Sequence, residues 1–154
     1  MPSGPYRYPP TVSCPAAGER AAPGPAVGVT LPGDPRSAAV ARAVTTATLR
    51  AHGLTAYLWP AVAVTAEMAA VAARLTPGRD LYLFLRHRDD ALRLLVWDQH
   101  LLHSGHSGHF GCDALRRRAL WLLAVVVDDW GGEWGIRDAR PGQPGVKSWV
   151  TLPR

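Results

Sequence analysis

The stretch DQHLLHSGHSGHFGC holds the densest chemistry in the chain. His100, His103, His106 and His109 follow one another at intervals of three residues, and Cys112 stands three further on. Imidazole nitrogens and a thiolate are ordinary zinc ligands, four to a tetrahedron. Zinc fingerprints, however, separate two ligand pairs along the chain, and an unbroken H-x-x-H ladder lacks that division. A strict three-residue step also drifts around a helix of 3.6 residues per turn. Ser104-Gly105 and Ser107-Gly108 disfavour a helix as well. An irregular loop is expected, with His100, His103, His106 and His109 as weak metal candidates and zinc as the lesser reading. Several neutral imidazoles there would also charge as pH falls from about 7 to about 5.

The elements around this loop can be read from periodicity. Residues 1–26 are rich in Pro, Gly, Ala and Ser and carry almost no apolar period, so a disordered leader is expected, with the domain at 27–154. Residues 27–31 suit a short strand. Asp34 and Pro35 suit a helix start, and Gly53 its end. Val40, Val44 and Leu49 would form its buried side. A second helix is expected over 58–75, with a core stripe of Leu58, Val62, Met68 or Ala69, Ala72 and Leu75. Glu67, Val71 and Arg74 share another side, at i, i+4 and i+7. DLYLFLR and LRLLVWD read as two strands joined by a hairpin at HRDDA. Asp113 would cap a third helix, ALRRRALWLLAVVVDDW, whose apolar middle should be buried all round. EWGIRD and VKSWVTL close the chain as strands. This order predicts an α+β fold, a two-layer sandwich with a mixed or antiparallel sheet and helices on one face.

Composition narrows the function classes. The chain has 154 residues, 47% of them apolar, enough for one domain with a core. Its net charge is +5, carried almost wholly by arginine, with Lys147 the only lysine. The arginines are scattered, no aromatic-plus-basic motif runs along the chain, and nucleic acid is not the expected partner. Only Arg116, Arg117 and Arg118 form a run, read first as a solvated helix start. Two cysteines far apart make no disulfide framework. With no signal segment, and Ala119 to Val127 too short to span a bilayer, a cytoplasmic protein without a membrane partner is expected. Most of the six tryptophans are expected in the core, some on a partner surface.

Three segments carry a family resemblance over residues 27–152. LPGDPRSAAVARAVTTATLRAHGL resembles the opening helix of the histidine-kinase-like ATPase domain, in the small stand-alone members related to anti-sigma factor serine kinases. EMAAVAARL resembles that family's asparagine box. LRRRALWLLAVVVDDWGGEWGI, followed by VKSWVTL, resembles its closing motifs; here the leucine spacing, the Asp-x-Trp-Gly ending and the Lys-Ser-x-Trp all fall in order.

The resemblance implies ATP and magnesium as cofactors, and serine/threonine kinase chemistry. Glu67 matches the catalytic glutamate, a general base for phosphoryl transfer. Asp98 matches the aspartate that accepts the adenine amino group, and Ser148 the hydroxyl that helps hold the base. Gly108 and Gly111, with Gly105, could supply a lid whose backbone N–H groups wrap phosphates. Two features are missing. Val71 stands where the magnesium asparagine belongs, and Arg117-Arg118-Ala119 replaces the glycines before the closing helix. The expectation is a degenerate nucleotide site on a regulatory domain that works by contact with a protein, in relatives a sigma factor or an anti-anti-sigma protein. A homodimer stays open. The alternatives are an active anti-sigma factor serine kinase and a histidine-loop metal-binding protein.

Overall fold

Alternation between buried and outward-facing positions builds the sheet, because successive side chains of a strand point to opposite faces and one face here lies against helices. The computed structural model describes residues 24–100, 109–139 and 143–154. Its strands are β1 (Ala26–Leu31), β2 (Leu81–Arg88), β3 (Ala91–Asp98), β4 (Glu133–Asp138) and β5 (Val146–Pro153). They form one antiparallel five-stranded sheet in the order β1-β2-β3-β5-β4. The helices are α1 (Ser37–Ala51), α2 (Leu58–Leu75, entered through a 3-10 turn), α3 (His109–Ala119) and α4 (Trp121–Trp130). The expected α+β sandwich is therefore present, with the sheet antiparallel throughout.

Leu81, Leu83 and Leu85 of β2 meet Leu92, Leu94 and Val96 of β3, and Val150 and Leu152 of β5, on the buried face. The α1, α2 and α4 helices supply the other half of this core. The hairpin between β2 and β3 is tighter than HRDDA suggested. Only Asp89 and Asp90 turn, with φ of 53° and 52°. That double left-handed geometry suits the twist of a two-residue hairpin, and aspartate tolerates it better than most residues. Gly131, at φ 75°, ends α4, and Gly132 N–H closes back on the Val127 carbonyl at 2.9 Å.

Several expectations need correction. The buried side of α1 is Ser37, Ala41, Thr45 and Leu49, whereas Val40 is 42% exposed and Val44 only half-buried. Small residues four apart let α1 lie close to α2, and the Thr45 and Thr65 hydroxyls hydrogen-bond across the seam at 3.2 Å. On α2 the buried positions include Ala61, Val64, Thr65, Met68, Ala69 and Ala72, while Leu58, Val62 and Leu75 are half-buried. By length and composition α2, with the turn before it, could cross a membrane, a stretch longer than the run at Ala119. More than half of that stretch is buried, because α2 lies in the core.

The closing helix also differs. Its helical backbone starts by His109, so Asp113 lies inside α3 and is no cap, and His109 belongs to a helix instead of a loop. At Leu120 the chain leaves ideal helix geometry, with φ −93° and ψ 21°, dividing α3 from α4. The apolar middle is not buried all round: Leu123, Val126 and Val127 are, but Trp121, Leu122 and Val125 face outward. None of the six tryptophans is fully buried, contrary to the core assignment.

Candidate functional site

The chemistry gathers at the end of β3. Cross-strand register puts Asp98 opposite Val146, and Val96 opposite Ser148. Asp98 and Ser148 therefore share the helix-covered face as diagonal neighbours, and both are buried. The two residues expected at the adenine end do come together.

What meets Asp98 is a residue that the arginine run suggested would be solvated. Arg116 of α3 donates from Nη1 to Asp98 Oδ2 at 2.6 Å and from Nη2 to Oδ1 at 3.1 Å. This is a two-pronged guanidinium–carboxylate fork. Their side chains are 2% and 0% exposed. The backbone N–H of His100 adds a third donor to Oδ1 at 3.0 Å. A buried carboxylate needs such company, because unpaired charge away from water costs several kcal/mol or more. The pair also ties α3 to the sheet. Arg116 had a legible signal: positions 116, 120, 123 and 127 are spaced by four, three and four, and all are buried. Arg117 and Arg118 are exposed, as expected, with the Arg117 guanidinium 6.0 Å from the centre of the Trp134 ring.

The remaining matched residues fall into two cavities. Val71, Arg74 and Leu75 of α2 line one of about 280 Å³, closed by Leu115 and Ala119 of α3. Val71 is 2% exposed, and no carboxylate or amide side chain lines this cavity among the described residues. Glu67 lines a different groove, about 520 Å³, between α1, α2 and α4. Its neighbours there include Arg42, Arg50, Trp59 and Leu122. The glutamate thus borders neither the Val71 cavity nor the Asp98 fork.

The histidine segment is reached only at its edges. His103, His106 and Gly108 lie outside the described residues, as does the side chain of His109. Gly111 sits in α3, exposed, with open space where a Cβ would be. Among the described residues no three His, Cys, Asp or Glu side chains cluster as metal ligands would. The chain matches no model of a known protein family, and no curated protein matches it.

Proposed function

We propose that the protein is a non-catalytic relative of the histidine-kinase-like ATPases, a regulatory domain that acts by binding another protein. The observation that carries this reading is the Asp98–Arg116 fork. If Asp98 is the adenine aspartate, its oxygens already accept two guanidinium hydrogen bonds and one from the backbone. Adenine could take that position only by displacing a buried cation from its sole ion-pair partner among the described residues. Val71 adds the second obstacle, since a valine side chain offers no oxygen to magnesium. The kinase alternative needs both positions.

The surface for a partner lies on the helical side. Trp59 and Trp121 are 67% and 65% exposed, and Leu122 and Val125 continue the patch along α4. Exposed apolar side chains grouped this way characterise interaction sites, and tryptophan is favoured as an interface anchor. Arg42 and Arg50 border the groove that Trp59 and Leu122 line, against the single carboxylate of Glu67. The fitting partner is an amphipathic helix with apolar residues flanked by carboxylates. Sigma factors and anti-anti-sigma proteins are the classes the resemblance implies, in a cytoplasmic pathway.

Calorimetric titration of the full chain with ATP, with and without magnesium, tests the first half. No binding heat is expected in either case; magnesium-dependent binding would overturn the reading and revive the kinase. For the second half, purified sigma and anti-anti-sigma proteins are titrated against wild type and Trp121→Ala. Binding by wild type that the variant loses is expected, and no binding of either class would overturn the partner assignment.

A further inference from the structure

The face of the sheet turned away from the helices carries a different chemistry. Tyr82 and Phe84 of β2, Trp97 of β3 and Trp149 of β5 all point to it, alternating with the buried leucines and valines. Tyr82 is directly opposite Trp97, and Trp149 is opposite Leu95, itself opposite Phe84. Gly135 of β4 lies under the Trp149 ring, so close that a Cβ there would come within 2.8 Å of it.

Cations border these rings on both sides. Arg86 is directly opposite Arg93, and Arg137 is directly opposite Lys147. Like charges at facing positions of an antiparallel pair repel and destabilise the sheet. None of the four has an ion-pair partner among the described residues. Among the described strand residues this face offers one carboxylate, Glu133 on the edge strand, separated from Arg93 by Thr151. A groove of about 370 Å³ runs here, with Phe84, Trp149, Arg86, Arg93 and Arg137 among its lining residues. The two like-charged pairs lie four residues apart along the strands, roughly 13–14 Å, with the Phe84 and Trp149 row between them.

We propose that this face binds single-stranded nucleic acid, with phosphates on the Arg86–Arg93 and Arg137–Lys147 pairs and bases stacked on the aromatic rings between. Phosphates relieve both like-charge pairings at once. Tyr82 is exposed and Phe84, Trp97 and Trp149 are half-buried, and aromatic rings on a sheet face take unstacked bases of any sequence. A duplex hides its base faces and presents grooves that suit a helix or a narrow ribbon, so a single strand fits this broad surface better. An acidic peptide would satisfy the cations but leave the rings without stacking partners. The proposal does not depend on the nucleotide-site reading: it uses the opposite face of the sheet.

The test is fluorescence anisotropy of the full chain with labelled oligodeoxythymidine. The single strand should bind, and more weakly as salt rises. Arg93→Glu/Arg137→Glu should weaken it at least about ten-fold and flatten the salt dependence by about 0.7 in log–log slope for each phosphate no longer neutralised. Trp149→Leu keeps apolar bulk and removes the ring; a loss of about 5- to 150-fold is expected from stacking. Phe84→Leu provides the same readout should Trp149→Leu fail to fold. Arg118→Glu, on the helical side, should change nothing. Any of four results overturns the proposal: no binding at low salt, binding indifferent to the double charge reversal, duplex bound as tightly as single strand, or displacement by polyglutamate at equal charge.

Discussion

Arg116 and Arg93 are the same residue type placed on opposite sides of one sheet, and their surroundings could hardly differ more. Arg116 is enclosed, forked onto Asp98, and complete. Arg93 is exposed, faces another arginine, and has no carboxylate partner among the described residues. The first is a structural element made from what the family resemblance treats as a ligand site. The second is a charge in want of a counter-ion. In a protein whose basic charge is almost all arginine, the decisive property is therefore whether each guanidinium already has its anion, not how many there are.

The largest test of this contrast is thermodynamic. Arg116→Met leaves a buried carboxylate with one backbone donor, and a loss of about 3–5 kcal/mol in urea unfolding is expected. Arg93→Ala should stay within about 0.5 kcal/mol of wild type, as exposed substitutions do. Similar losses at both positions would erase the distinction. A smaller effect is expected at the α1–α2 seam. Thr45→Val removes one partner from a buried hydroxyl, but Thr65 keeps its bond to the Ala61 carbonyl at 2.7 Å, so about 0.5–1.5 kcal/mol should go.

On the open face the sign should reverse. Arg93→Glu places a carboxylate opposite Arg86 and should raise stability by about 0.2–1 kcal/mol, even as it weakens oligonucleotide binding. A variant that is more stable and binds less would separate the two roles of that face. The smallest effect concerns pH. Burial, and secondly the nearby Asp90 charge, raise the Tyr57 hydroxyl above its usual 10.0. The unfolded chain then releases this proton first, so the stability it contributes is intact below about pH 10 and is lost as pH rises through the folded value. Tyrosine absorbance titration beside the unfolding midpoint would show it, and a Tyr57 that titrates like the unfolded chain would not.

The strands are legible because their period is two and their turns are marked: LYLFLR and LRLLVW put a leucine or valine at every second position, with Asp89-Asp90 between. Tyr82, Phe84, Leu95 and Trp97 make the other face apolar as well, which suggests helices on both faces where the described helices cover one. The α1 and α2 helices are legible in extent but not in orientation, and the closing helix in neither, since it starts by His109, ahead of Asp113, and breaks at Leu120. In α1 the valines suggest a stripe, yet the close approach of α2 favours Ala41 and Thr45 and turns Val40 outward. In α4 hydrophobicity on every side says nothing about which side is covered. Arg116 is hidden by its neighbours: beside Arg117 and Arg118 it looks like part of a solvated run, but with Leu120, Leu123 and Val127 it falls on the core stripe. The aromatic and basic face is hidden for a related reason. Its members lie far apart along the chain, on β2, β3, β4 and β5, and only strand register brings them side by side.

A double-mutant cycle on Asp98→Asn and Arg116→Met, followed by urea unfolding, addresses the central claim most directly. If the carboxylate is committed to the guanidinium, each single variant is strongly destabilised and the double variant recovers much of the loss, with a coupling of about 1–3 kcal/mol. Losses that add to within about 0.5 kcal/mol would mean that Asp98 and Arg116 do not depend on each other, and the carboxylate would be free for a ligand after all.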